Sequence, residues 1–119
     1  MSRTYPHHEL RFAMISRMVR FLVAYDKPTD PAEFDRHYYE VHVPLAKKLP
    51  GLRRYTISRH VRAARAGETT FYLVAELDWD DLEALEAAFT SPEGQATAED
   101  AAQLRSNGTR SMIFDIHEL

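Results

Sequence analysis

Apolar residues recur with a period of two in four segments of this chain, and with a period of three to four in two others. From Met18 to Asp26, Val19, Phe21, Val23 and Tyr25 alternate with Arg20, Leu22, Ala24 and Asp26. That predicts a strand whose more apolar set faces a helical layer. Residues 52–63 predict a second strand, with Tyr55, Ile57, Arg59 and Val61 opposite Arg54, Thr56, Ser58 and His60. Residues 71–80 carry the strongest alternation, Phe71, Leu73, Ala75, Leu77 and Trp79 against Tyr72, Val74, Glu76 and Asp78. Residues 110–117 predict a last strand with Met112, Phe114 and Ile116 on one face. Helical spacing joins Phe34, Tyr38, Val41, Leu45 and Leu49, and again Leu82, Leu85, Ala88 and Phe89.

The polar punctuation fits these elements. Asp30 is a good N-cap, with Pro31 at the first helical position, where no N–H is needed. Pro44 cannot bond the carbonyl of Glu40, and Val43 before it is biased away from helical geometry, so a kink or break is expected near His42–Pro44. Pro50-Gly51 ends that segment, residues 65–68 read as a hairpin-type turn, and Asn107-Gly108 is a turn. Asp80 or Asp81 caps the second helix, which Ser91-Pro92 interrupts and restarts. The order is β-α-β-β-α-β. It predicts an α+β, ferredoxin-like domain: a four-stranded antiparallel sheet with helices on one face. The other face would expose Leu22, Tyr72, Val74 and Ile113 among Arg20, Glu76 and Asp115. An apolar face of this kind wants a partner, and a second copy would cover it.

Composition narrows the function. The 119 residues include no cysteine, which removes disulfides, thiolate nucleophiles and cysteine-ligated metals. The net charge of −3 hides a split: residues 1–66 carry 13 basic and 6 acidic side chains, residues 67–119 carry 2 and 12. The halves are expected to neutralise each other within or between subunits. Arg53, Arg54, Arg59, Arg62 and Arg65 form a basic run, but the third strand lacks the glycine-aromatic signature of RNA-binding sheets of the same order, so no nucleic acid partner is expected. There is no Gly-rich phosphate loop and no nucleophile elbow. No apolar run suggests a membrane span, and a cytoplasmic protein is the default. Residues 1–17, with the pair His7-His8, have no periodicity and read as an extension to a domain at 18–119.

The densest chemistry lies at His37-Tyr38-Tyr39-Glu40-Val41-His42. On a regular helix His37 and His42 point about 140° apart, so no shared metal is expected. His42 instead faces Tyr38 at i−4 and Tyr39 at i−3, beside the Pro44 break. Histidine is readily poised near neutral pH as a proton donor or acceptor. Burial would lower its pKa and a helix end would raise it, so spacing leaves the sign open. The plainer alternative is that His42 satisfies a carbonyl freed by Pro44. Tyr25 and Trp79 end the first and third strands and are expected at one end of the sheet, lining a cleft. Asp78-Trp79-Asp80-Asp81 carries paired carboxylates, but capping is their expected role.

The segment from Met18 to Tyr55, above all His42-Val43-Pro44-Leu45-Ala46 with Tyr38-Tyr39 before it and Pro50-Gly51-Leu52 after it, resembles the EthD family of the dimeric α+β barrel superfamily. That resemblance implies a homodimer of ferredoxin-like subunits with a small cleft between each sheet and its helices. It also implies relatives among isomerases, cyclases and cofactor-independent oxygenases that act on small apolar or aromatic molecules. The resulting expectation is an enzyme needing no metal and no cofactor. In it His42 is the general acid/base, Tyr38 orients it or the substrate, and Tyr25, Phe34, Leu45 and Trp79 shape the pocket. The alternative is a non-catalytic protein that binds a small hydrophobic ligand in the same cleft.

Overall fold

The computed structural model describes residues 18–119, and the extension expected at 1–17, with His7 and His8, lies outside them. Strand β1 (Val19–Tyr25) leads into α1 (Pro31–His37), a π turn (Tyr38–His42) and the short α2 (Val43–Ala46). Then come β2 (Arg54–Ile57), β3 (Leu73–Trp79), α3 (Leu82–Thr90), α4 (Pro92–Leu104) and β4 (Arg110–Asp115). The sheet order is β2-β3-β1-β4, every neighbouring pair antiparallel, which is the ferredoxin-like arrangement.

The caps form as the sequence indicates. The Asp30 carboxylate accepts from the N–H of Glu33, Asp81 from Ala84, and the Ser91 hydroxyl from Gly94 with Pro92 beginning α4. Val19, Val23 and Tyr25 of β1 and Leu73, Ala75, Leu77 and Trp79 of β3 are buried with Phe34, Tyr38, Leu49 and Leu85. These strand residues pair across β1 and β3, so one face of both strands meets the helices. On the opposite face the Arg20 guanidinium donates to both oxygens of Asp78 at 2.7 and 3.0 Å and to Glu76 at 2.8 Å.

Four expectations change. The second strand ends at Ile57, well before residue 63. There the Ser58 hydroxyl accepts from the Val74 N–H and the Ser58 N–H donates to Val74, which closes the ladder. A long loop follows, in which His60 has φ of +56°; the expected turn at residues 65–68 forms inside it, the Glu68 N–H donating to the Arg65 carbonyl with Gly67 at φ +85°, rather than joining the strands directly. Ile113 pairs with Phe21 and Asp115 with Val19, so both lie on the helix side, whereas Met112 opposite Leu22 and Phe114 opposite Arg20 join the open face. A one-residue difference in register exchanges the two faces. Tyr72 precedes β3 and turns toward α1, its hydroxyl donating to Asp35 at 2.9 Å and its ring meeting Phe34 edge-on.

Lastly, Tyr25 pairs with Leu73 and Trp79 with Val19, so these two aromatics lie at opposite ends of the sheet, about 20 Å apart along the strands. One helical crossover followed by one reversal makes β3 antiparallel to β1. Trp79 is fully buried, and its indole N–H donates to the Pro50 carbonyl at 2.9 Å, beside Gly51 in the left-handed region at φ +72°.

Candidate functional site

Pro44 does not break the helix. His42 (φ −68°, ψ −47°) and Val43 (φ −57°, ψ −47°) are both helical, and the turn ahead of the proline widens instead. The Val43 N–H donates to the Tyr38 carbonyl, the i to i+5 bond of a π turn. In such a turn residues five apart come to one side, a geometry frequent at functional sites. His37 and His42, divergent on a regular helix, therefore reach the same carboxylate.

That carboxylate is Asp100 on α4. His37 Nε2 lies 2.7 Å from Oδ1 and His42 Nδ1 lies 2.9 Å from Oδ2. Asp100 and His42 are both buried, at 7% and 6% exposure. The α3–α4 junction at the start of this helix is tight enough to require glycine: a Cβ on Gly94 would stand 2.1 Å from the Ala88 carbonyl oxygen of α3. A carboxylate oxygen accepts, so His42 donates from Nδ1 and keeps the lone pair on Nε2. Among the described residues every fully buried side-chain nitrogen or oxygen has a partner. Nε2 has none, so it is open to a small molecule. Burial pushes the His42 pKa below its ordinary value, with Asp100 opposing. The imidazole is thus neutral at pH 7 and able to take a proton.

His42 lines a cavity of about 270 Å³ between the sheet and the helices. The sheet contributes Phe21, Val23, Tyr25, Ala75 and Leu77, and α4 contributes Gly94, Thr97 and Ala101. The lining is mostly apolar and includes no acidic side chain. Tyr38 and Tyr55 also face it, their hydroxyls 2.7 Å apart. Burial pushes the Tyr25 hydroxyl up to about 12 and raises Tyr38 further, so both stay protonated.

Of the six residues singled out from sequence, Tyr25, Tyr38 and His42 share this wall, and the ring centroids of Tyr38 and His42 are 5.2 Å apart. The hydroxyl of Tyr38 bonds Tyr55, so the imidazole is oriented by Asp100 rather than by Tyr38. Phe34 stands behind the wall, stacked on Tyr38 at 5.9 Å and edge-on to Tyr25 at 5.4 Å. Leu45 and Trp79 are not on the wall. His42 bonds a carboxylate and not a carbonyl freed by Pro44. Asp100, Tyr55 and Arg105 escaped the sequence reading. The signal for Asp100 was its spacing: it follows Gly94 and Thr97 on the inward side of an otherwise Ala-rich, exposed helix. Among the described residues no group of three or more His, Asp or Glu is arranged to hold a metal. No helix there is long and apolar enough to cross a membrane.

The EthD domain model matches residues 26–105, which include the π turn, His42 and Asp100. The chain belongs to the EthD family. A curated relative, an uncharacterised 11.0 kDa protein from the thcB–thcC intergenic region of Rhodococcus erythropolis, is 34% identical over 98 residues, covering 82% of this chain and 94% of that protein. The crystal structure of an EthD family protein from Bacillus halodurans superposes with a TM-score of 0.76 at 37% identity, covering 86% of this chain and 99% of the other. The cofactor-independent oxygenase SnoaB from Streptomyces nogalater shares the fold at 21% identity and a TM-score of 0.62, over 87% and 96% of the two chains. A dimeric ferredoxin-like protein of unknown function from Thermobifida fusca does so at 15% and 0.63, over 83% and 91%. This EthD chain therefore shares its architecture with a cofactor-independent enzyme and with a dimer.

Proposed function

We propose that this EthD protein is a cofactor-independent enzyme acting on a small hydrophobic or aromatic molecule, and that its chemistry starts with proton removal by His42. The observation that carries this reading is the free Nε2 of a buried, neutral imidazole on the wall of an apolar cavity, its other nitrogen held 2.9 Å from Asp100. In the proposed step Nε2 takes a proton from a C–H next to a carbonyl, or from a phenol. The electron pair stays on the substrate as an enolate or phenolate. The new imidazolium is stabilised by Asp100, and the protonated Nε2 can return its proton at another carbon. Isomerase, cyclase and oxygenase chemistries can each begin this way. Tyr25, held protonated, offers a hydrogen bond to the developing oxyanion, and the Tyr38–Tyr55 pair supplies a second from whichever hydroxyl is not donating to the other. Phe34 supports the Tyr25 and Tyr38 rings from behind. The fold shared with SnoaB is compatible with this reading.

We also propose that two copies pack through their open sheet faces, where Leu22, Val74, Met112 and Phe114 cluster. No nucleic acid partner is proposed, and a cytoplasmic setting belongs to the same reading.

The test is hydrogen–deuterium exchange into phenylacetone in heavy water, followed by proton NMR. The expected result is protein-dependent exchange that falls by ~10²–10⁴-fold in His42→Gln, the range of a general base. Full exchange in that variant would end the assignment. Saturable binding of phenylacetone with no catalysed exchange would instead favour a ligand-binding protein.

A further inference from the structure

Among the described residues Arg105 has no charged partner, although it borders two openings in the molecule. It follows α4 as its C-cap and is among the residues that line the apolar cavity holding His42. It also lines a second, more polar cleft with Asp26, Asp30 and Glu33. Each of those acids is already engaged. Asp26 accepts from Ser106 and Thr109, Asp30 caps α1, and Glu33 holds Arg36 at 2.7 and 3.0 Å. Asp100, five residues back on α4, is turned to the two histidines. Residues 67–119 contain one other cation, Arg110, whose guanidinium donates to the carbonyls of Asn107 and Thr109. Among the described residues, Arg105 makes no side-chain hydrogen bond or ion pair. A helix C-terminus favours a cation, but that preference is satisfied in open solvent and does not require a place on the cavity wall.

Among the described residues the cavity therefore has an apolar body, a neutral base and one permanent positive charge at its edge with no countercharge. Its charge also acts on the Tyr25 hydroxyl, which lies on the same wall. We propose that Arg105 is an anion-binding residue of this site, and that the molecule taken up is an apolar acid whose carboxylate pairs with the guanidinium while its hydrocarbon part fills the cavity. A carboxylate matches the planar guanidinium fork, and a charge-assisted pair at the edge of an apolar site is stronger than a neutral one. This inference rests on the proposal that the cavity takes a small molecule. It adds the chemical class.

The experiment is calorimetric titration of the full chain with 4-phenylbutyrate and with its uncharged amide. The acid is expected to bind at least ~10-fold more tightly, with an affinity that weakens as salt rises. Arg105→Gln should bring acid and amide together, and Arg105→Lys should keep part of the difference. Arg105 is exposed and outside the core, so these variants are expected to melt like the parent protein. Equal binding of acid and amide by the parent chain, or a preference that survives in Arg105→Gln, would overturn the anion-binding role while leaving the cavity reading standing. Binding of neither probe would overturn both.

Discussion

At the residue scale the decisive feature is which nitrogen of His42 bears the proton. Asp100 sets it, because an acceptor at 2.9 Å demands Nδ1–H. Asp100→Asn can present an N–H to the same nitrogen and invert the tautomer. The proposed exchange rate should then drop by ~10²-fold or more, with the inversion visible in the imidazole ¹⁵N shifts. Retention of the parent tautomer would detach Asp100 from the mechanism. Burial also makes a stability prediction. His42 titrates below its ordinary value in the native state and near 6.5 when unfolded. Between those values the unfolded chain binds a proton that the native one does not. This contribution is therefore complete above pH 6.5 and is lost as pH falls from there through the native pKa. Denaturant midpoints measured from pH 8 to pH 5 should decline, and less steeply in His42→Gln. His42 was legible from sequence because it sits among tyrosines beside a proline. Asp100 was not, since its partner lies 58 positions away and its spacing after Gly94 and Thr97 marks only an inward side, not what that side meets.

At the scale of elements, the π turn is what joins the histidines. The sequence marks the disturbance through Pro44 but not its form. A proline can end a helix, kink it or be absorbed by one wider turn, and packing decides among these. Here α1 and α2 continue as one run, with Tyr38 and Ala46 buried on the same layer. Pro44→Ala restores the N–H that a regular helix needs. It should let the turn relax toward α geometry, where His37 and His42 diverge and only one can reach Asp100. Expected outcomes are loss of one His–Asp coupling in the imidazole NMR spectrum and a fall in the proposed exchange, with helix content by circular dichroism unchanged. Both couplings surviving would show that packing alone holds the π turn. The strands were easier to read, because period-two alternation is local. Their ends were not: β2 stops where Ser58 caps the ladder, a matter of what lies opposite.

For the whole molecule, the helix-covered face carries the core, and the opposite face is left with Met112 at 50% and Phe114 at 37% exposure beside Leu22 and Val74. Arg20 is matched there by Asp78 and Glu76, and the apolar residues between β1 and β4 favour contact with another apolar face. If two copies pair through it, Phe114→Glu should shift the chain from dimer to monomer in sedimentation at micromolar concentration. An Arg62→Glu control on the loop after β2 should not. A parent chain that sediments as a monomer would remove the dimer proposal.

The sequence by itself determined the element order, the caps and the inward side of β1 and β3, because each depends on neighbours a few positions away. It also marked His42 and its proline. The tertiary structure alone decided that Tyr25 and Trp79 part to opposite ends of the sheet and that Met112 and Phe114 are the ones left on the open face. It alone brought Asp100 beneath both histidines and put Arg105 at the cavity. These outcomes depend on strand direction, register and helix packing, which arise from contacts between segments far apart in the chain.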